Sequence, residues 1–431
     1  MTRAGHGQLG TMADVIVQAE APPTFRWDRL TYSSALGYCL LVAGLSVGVV
    51  LGELREQFGI SGVVAALHGS TFGVGLLLAG IFGVGVVDRI GRARALQLSA
   101  AGLAGGVVLF CVGPSWPFTL LGTAFTGLGG AMLVMVMPGL ISDHHGEHRA
   151  QAFAAVNAAP GVAGVLFSLV IGAALSAGWS WRVPYLLLTA AFALALAFVA
   201  LPVRVPRGHR HGTFTLQHLR DRNVLVPWLF IVNAVLAEFS VGIWIVTYLR
   251  EVGGASAGLA PILASVFGLM MFATRVALAH LLRWWGDSTI SYSFIILGIG
   301  ATVMCVGPGL AWKTAGLVLV GFGGAPLYPL TVDRFYRRAD HALDAVALGA
   351  YCALASGVAI TLGPLALGVL ADAIGLRWAL LVVPALAAVG AVTQHGALTQ
   401  HGALTQHGAV TQHGADESRR QSAVGRGGKM P

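Results

Sequence analysis

Long runs of apolar residues alternate with short breaks of charged, glycine or proline residues along most of the chain. Most runs approach or exceed the roughly 20 residues that an α-helix needs to cross the hydrocarbon core of a bilayer. The pattern therefore predicts twelve membrane-spanning helices, numbered here as spans 1 to 12. Their predicted cores are 33–52, 65–87, 95–113, 117–141, 151–175, 182–202, 224–248, 258–282, 289–309, 313–332, 343–370 and 376–392.

A longer polar stretch follows the sixth span and divides the spans into two sets of six. The stretches 172–182 and 368–377 resemble each other, because each places a small-residue turn and an arginine between the fifth and sixth spans of its half. We therefore expect an all-α membrane protein built from two pseudo-symmetric six-helix bundles, which is a recurring transporter plan. The predicted parts are a cytoplasmic N-terminal segment 1–32, a bundle 33–202, a basic cytoplasmic linker 203–223, a bundle 224–392 and a low-complexity cytoplasmic tail 393–431.

The composition agrees with this pattern and excludes two other classes of protein. Of the 431 residues, 56% are hydrophobic and only 10% are charged, whereas an average soluble domain is about one quarter charged. A disordered chain needs low hydrophobicity and high charge. The sequence therefore predicts neither a soluble enzyme nor a disordered chain, and the lipid bilayer is its first expected partner.

The charged residues are distributed unevenly between the two sides of the predicted membrane. With both termini inside, 20 of the 26 lysine and arginine residues lie inside, 5 lie outside and Arg275 lies within span 8. This bias follows the positive-inside rule. It predicts a multi-pass protein of the cell (inner) membrane with both termini cytoplasmic, and it explains the net charge of +8 without nucleic acid as a partner. The five outside residues are Arg55, Arg182, Arg250, Lys313 and Arg377.

The loop between spans 2 and 3 contains Asp88-Arg89-Ile-Gly91-Arg92. This loop resembles the signature of the major facilitator superfamily, Gly-x-x-x-Asp-Arg-x-Gly-Arg-Arg/Lys, and the resemblance extends over about 33–392. It implies a twelve-span secondary transporter. It also implies a gating role for Asp88, Arg89, Gly91 and Arg92, because this cluster helps to hold the outward-facing state of the family closed on the cytoplasmic side.

Three positions depart from the family pattern. Val84 replaces the glycine four residues before Asp88, which shifts the expected close helix approach to a neighbouring glycine. In the second half, Arg283 stands where the family often has aspartate. In span 4, Thr123 occupies the position of an arginine found in many proton-coupled members, so this position does not predict proton coupling.

Two ionisable residues lie deep within predicted spans, Glu238 in span 7 and Arg275 in span 8. A charge in the bilayer core costs about 2.5–3.5 kcal/mol even on the lenient insertion scale, so such residues usually face a cavity and pair. We interpret Glu238 as a proton-coupling residue. Arg275 either binds an anionic substrate, as its position in the similar monocarboxylate branch implies, or pairs with Glu238. A purely structural ion pair is the alternative.

Further polar residues within spans are candidates for a substrate cavity. They are Asn157 in span 5, Asn233 in span 7 and Tyr328 in span 10, where two nearby prolines are expected to break the helix and free backbone carbonyls. His68 in span 2 is either a cavity residue or a hydrogen-bonded packing residue. Glycine–proline pairs in spans 5 and 11 weakly favour efflux over uptake.

These observations predict a secondary active transporter that moves a small organic solute by alternating access. The coupling ion is a proton or another ion, since no Walker sequence for ATP is present. The alternatives are multidrug-type efflux, which Phe239 and Trp244 would suit, and a non-transporting membrane sensor. We expect a monomer.

An enzyme, a cofactor and a metal site are not expected from the sequence. The stretch 143–148 has metal-ligand residue types but lacks the His-Glu-x-x-His spacing. The six-residue repeat of the tail, with His395, His401, His407 and His413, is interpreted as low-complexity sequence. The four cysteines fall within apolar runs and are interpreted as packing residues.

Overall fold

The computed structural model of the chain describes residues 26–200, 216–339 and 345–394, which are helical apart from short turns. Twelve helices in these ranges are long and apolar enough to cross a membrane, which confirms the twelve predicted spans. The predicted segments 1–32, 203–223 and 393–431 lie largely outside the described residues, and so does the histidine repeat of the tail.

Eight spans are single helices and four are interrupted. The single helices are span 2 Gly62–Ile90, span 3 Arg92–Val112, span 4 Trp116–His145, span 5 Arg149–Ser176, span 6 Arg182–Ala200, span 7 Arg222–Glu251, span 9 Thr289–Val306 and span 11 Ala345–Ile374. Span 1 comprises Arg29–Leu45, the 3-10 turn Ser46–Val50 and Leu51–Phe58, and span 8 comprises Leu259–Val276 and Leu278–Trp285. Span 10 comprises Gly309–Gly324 and Leu327–Ala339, and span 12 starts with Leu376–Ala379 and continues to Gln394.

Span 10 breaks at the first of its two prolines, as the sequence predicts. The helix ends at Gly324 and restarts at Leu327, so that Ala325 and Pro326 lie between the two segments. Proline has no N–H to donate to the preceding turn, which interrupts the hydrogen-bond ladder. In an uninterrupted helix the Ala325 carbonyl would accept from the N–H of residue 329, but that residue is Pro329, the second proline. This carbonyl accepts a hydrogen bond from a side chain of span 8 instead.

Span 1 begins at a well-formed cap. Asp28 is its N-cap, and its Oδ1 accepts hydrogen bonds from the Thr31 N–H at 2.8 Å and the Thr31 hydroxyl at 2.7 Å. Partial burial raises the pKa of Asp28, but the hydrogen bonds from Thr31 and the nearby His144 outweigh it and bring the pKa to about 2. The carboxylate is therefore ionised at neutral pH and complements the positive end of the helix dipole.

Two helix pairs join the N-terminal half to the C-terminal half. Span 2 runs antiparallel to span 11, and span 5 runs antiparallel to span 8. Small residues allow this close approach: a Cβ added at Gly368 would lie 2.8 Å from the Gly62 carbonyl oxygen, and one added at Gly172 would lie 2.7 Å from that of Gly258.

The bundle has two ends, which we name by their loops. The arginine-rich end carries the turns at Gly91, 146–148 and 286–288. The opposite end carries the turns at 59–61, 113–115, 177–181, 252–258 and Gly375. The four cysteines lie buried within the helices between these ends, where they pack as apolar side chains.

Candidate functional site

The two ionisable residues predicted within spans 7 and 8 meet in the structure. Arg275 Nη2 lies 3.4 Å from Glu238 Oε1, and Arg275 Nε donates to the Ala325 carbonyl at 3.4 Å. The Glu238 side chain is 16% exposed, whereas that of Arg275 is 46% exposed. The pair is therefore long for an ion pair, is contacted by the break in span 10, and leaves part of the guanidinium open to another ligand.

One tyrosine lies near this pair, and a second tyrosine from the other half lies near the first. Tyr328, just after the break in span 10, is an electrostatic neighbour of Glu238 and contacts Ser356 of span 11. Tyr38 of span 1 is in turn a neighbour of Tyr328. The site thus combines a carboxylate, a guanidinium and phenol groups, and Tyr38 connects it to the N-terminal half.

Of the two predicted asparagines, one is bonded within its own half and the other lies at an interface between the halves. The Asn233 side-chain amide donates to the Leu386 carbonyl of span 12 at 3.2 Å, which directs it toward its own half. Asn157 is exposed on span 5, one turn before Gly161. A Cβ added at Gly161 would lie 3.0 Å from the Phe272 ring. Because Phe272 is one turn before Arg275, Asn157 lies on the interface between spans 5 and 8.

A small cavity of about 20 Å³ lies between the halves, next to the pair along span 7. Its lining includes His68, Thr123 and Phe239, and its volume is enough for about one water molecule. His68 is buried, with Nε2 2.9 Å from the Thr119 hydroxyl and Nδ1 3.0 Å from the Val64 carbonyl oxygen. Both ring nitrogens are engaged, which favours the packing interpretation of His68.

Of the charged residues predicted to have a gating role in the loop between spans 2 and 3, Arg92 contacts a neighbouring helix, whereas Asp88 and Arg89 are exposed. Arg92 Nη1 contacts Asp143 Oδ2 of span 4 at 2.5 Å. Asp88 and Arg89 are exposed, and within the described ranges no ion pair reaches either of them. Gly91 has a φ of 83°, which permits the sharp reversal.

The close helix approach expected near Val84 occurs at Gly83. A Cβ at Gly83 would clash with Met135 of span 4, while nothing lies within 4 Å of a Cβ at Gly85. The close approach is therefore shifted by one residue toward the N-terminus, from Val84 to Gly83. The helix that approaches span 2 there is span 4 of the same half.

Ion pairs that the sequence did not predict connect the halves at the opposite end. Arg250 at the end of span 7 contacts Glu53 at 2.9 Å and Glu56 at 2.7 Å, and Arg55 contacts Glu251 at 2.5 Å. We call these five residues the latch. Every ion pair between the halves in the described ranges belongs to it, because the remaining pairs lie within one half.

Asp372, near the end of span 11, reinforces the latch. Its carboxylate accepts hydrogen bonds from the first amides of span 2, at Gly62 (2.8 Å) and Val63 (3.0 Å). The sequence could have indicated this residue, because Asp372 and Gly375 have the same three-residue spacing as Asp88 and Gly91. The structure repeats too, with a φ of 84° at Gly375.

Twelve apolar spans in two halves, with a charged pair inside the second half and ion pairs that join the halves at one end, define a multi-pass membrane protein of the transporter class. The family model of the Major Facilitator Superfamily matches residues 34–356. The chain belongs to the Major Facilitator Superfamily, whose members move small-molecule substrates through membranes, and its relatives are transporters rather than enzymes.

Individual relatives are distant. An uncharacterised transporter of Sinorhizobium fredii is 29% identical over 187 residues, which is 42% of this chain and 48% of that protein, so the alignment spans about half of the relative. An uncharacterised MFS-type transporter of Mycobacterium tuberculosis (strain H37Rv) is 27% identical over 320 residues, which covers 68% of this chain and 74% of the relative.

Solved structures support the same fold. A bacterial homologue of the human lysosomal transporter Spinster, in an inward-facing and occupied conformation, aligns with a TM-score of 0.66 at 15% identity over 86% of this chain and 96% of that chain. The nucleoside transporter NupG aligns with a TM-score of 0.69 at 12% identity over 85% of this chain and 98% of that chain.

Proposed function

We propose that this protein is a secondary active transporter that carries a small organic anion together with protons. The pair of Glu238 and Arg275 carries the proposal, because Arg275 is the counter-charge of Glu238 and is also the group that an anionic substrate would bind. An anion that takes the partly exposed guanidinium of Arg275 would leave the Glu238 carboxylate without its counter-charge. A carboxylate without a partner in a low-dielectric site takes up a proton. Anion binding and protonation would thus be linked.

The arrangement of charges between the halves supports alternating access. The latch and Asp372 close the opposite end, while Asp88 and Arg89 at the arginine-rich end are exposed and unpaired within the described ranges. For the other state, we propose that the latch opens and that Asp88, Arg89, Gly91 and Arg92 close the arginine-rich end. Rocking of the halves about the two antiparallel helix pairs would expose the central pair to each side in turn.

The charge bias supports the proposed location. We propose that the arginine-rich end faces the cytoplasm of a cell membrane and that both termini lie on that side. We further propose that the monomer is the working unit, because the charged pair is assembled within one chain.

Purified protein in proteoliposomes tests the coupling role of Glu238. The first step is a thermal-shift screen against small anions and drug-like cations, and the second is uptake of the stabilising compound at several pH values. Glu238→Gln should abolish the pH dependence of transport, since the amide cannot exchange a proton. Asp333→Asn is the matched control, because Asp333 is an exposed carboxylate that pairs with Arg337 of its own helix at 2.9 Å. Unchanged pH dependence in Glu238→Gln would refute the coupling role.

The same screen separates anion transport from multidrug-type efflux. Trp244, one of the two aromatic residues that suited a hydrophobic drug, is fully buried and donates from its indole to the Pro364 carbonyl at 3.2 Å. Stabilisation by anions that disappears in Arg275→Gln is the expected result. Stabilisation by cations alone would instead favour efflux, and the absence of any solute flux would favour a sensor.

A further inference from the structure

Three potential metal ligands from distant parts of the sequence meet at the arginine-rich end. Asp28 lies just before span 1, and His144 and His145 are the last residues of span 4. One ligand atom from each lies within 4.8 Å of the other two. The stretch 143–148 contained two of these ligands, but the carboxylate that completes the set lies more than 100 residues earlier.

At the end of span 4, both histidine rings contact residues at the start of span 1. The helix stops at His145 because Gly146 adopts a φ of 52°. The two rings are nearly perpendicular, with centroids 4.8 Å apart. His144 Nε2 lies 2.5 Å from Asp28 Oδ2, and His145 Nε2 lies 3.0 Å from the Thr31 hydroxyl.

Thr31 orients the carboxylate of this cluster. Its backbone N–H and its hydroxyl both donate to Asp28 Oδ1, so that Oδ2 is the oxygen directed at His144. Hydrogen bonds that hold a carboxylate in this way are a regular feature of metal sites, where the partners of the ligands fix their orientation. The cluster thus has two imidazoles, one oriented carboxylate and a supporting hydroxyl.

We propose that Asp28, His144 and His145 form a binding site for a divalent transition metal of the zinc type. Two imidazole nitrogens and a carboxylate oxygen are a ligand set that Zn²⁺ uses, with water in the fourth position. Ligands at about 2.0–2.1 Å in tetrahedral geometry lie roughly 3.4 Å apart. The His144–Asp28 contact would open by about 1 Å, which is feasible because these side chains are 38% and 42% exposed.

The bound ion would tie the start of span 1 to the end of span 4. Both elements belong to the N-terminal half, so the ion would stiffen the arginine-rich end of that bundle without joining it to the other half. This inference does not depend on the transported solute or on proton coupling.

Calorimetric titration of the full chain in detergent with Zn²⁺ tests the site. All variants are made in a background in which the tail residues His395, His401, His407 and His413 are replaced by glutamine, so that the tail contributes no binding. The background protein should bind one Zn²⁺ per chain. His144→Gln and Asp28→Asn should each weaken binding at least tenfold, since even loss of an outer-shell partner costs about 10–100-fold.

His280→Gln is the matched control, because His280 is an exposed histidine of the same end outside the cluster. Asp28→Asn keeps a residue that caps helices well, and melting temperatures without metal verify that each variant is folded. Co²⁺ in place of Zn²⁺ gives a second readout, since its visible absorption reports tetrahedral nitrogen and oxygen ligands. Zn²⁺ affinity in folded His144→Gln and Asp28→Asn equal to that of His280→Gln would overturn the proposal.

Discussion

Arg92 and Arg89 stand three residues apart in the loop between spans 2 and 3, yet only one is docked. The Arg92 side chain is 8% exposed and contacts Asp143 of span 4, whereas Arg89 is exposed. Charge-assisted hydrogen bonds contribute more than neutral ones. In this conformation Arg92 therefore stabilises the contact between the loop and span 4, and Arg89 makes no such contribution.

Replacing Arg92 by alanine should lower the free energy of unfolding by about 1 kcal/mol. This estimate is at the upper end for partly exposed ion pairs, because Asp143 remains 42% exposed and is solvated after the loss. Arg89→Ala should stay within about 0.5 kcal/mol of the parent, as is usual for surface substitutions. Unfolding titrations in detergent measure both, and equal losses in the two variants would contradict the assignment.

The sequence identified Glu238 and Arg275 because charges within apolar runs stand out against their surroundings. It did not identify Glu53, Glu56 and Arg250, because charges at span ends are ordinary and carry no sign of their partner. The ion pairs of Arg250 join residues nearly 200 positions apart. Only the folded arrangement of the halves determines that such residues meet.

The turn between spans 2 and 3 depends on the backbone freedom of Gly91. Its φ of 83° and ψ of 153° lie in a region that is essentially reserved for glycine. Gly91→Ala should therefore cost about 1–3 kcal/mol of stability. Gly85→Ala, in the helical part of span 2 with nothing within 4 Å of the added Cβ, should be neutral or stabilising.

The melting temperatures of the two purified variants in detergent test this contrast. Gly91→Ala should melt lower than the parent, and Gly85→Ala should not. If both variants melted alike, the strain at Gly91 would not be a determinant of the turn.

The positions of the membrane-spanning helices were the feature of the structure that the sequence predicted best. Hydrophobic run length located all twelve spans, and proline chemistry located the break in span 10. The interruptions of spans 1 and 8 were not predicted, because no proline lies at either one.

The relative position of the two halves depends on the latch. Arg250→Ala removes two ion pairs between the halves, and Arg182→Ala is the matched control because Arg182 stacks on Trp181 of its own half, 5.2 Å from the ring centroid. The loss of two partly exposed pairs, each contributing up to about 1 kcal/mol, should lower the ratio of molecules closed to molecules open at the opposite end about tenfold.

Distances between spin labels at Trp179→Cys and Trp312→Cys measure this change. Both side chains are exposed at the opposite end, one in each half, whereas the native cysteines are buried. Arg250→Ala should increase the share of longer distances, and Arg182→Ala should leave the distribution unchanged. An unaltered distribution in Arg250→Ala would show that the latch does not hold the halves together.

The hydrogen bonds of Asp372 also have a consequence for biosynthesis. Gly62 and Asp372 are 310 residues apart, and a ribosome delivers the chain from its N-terminus. Span 2 therefore enters the bilayer long before the acceptor for its first amides has been translated. The first bundle therefore lacks these two hydrogen bonds until the last helical hairpin is inserted, and a chain terminated before residue 372 can never form them.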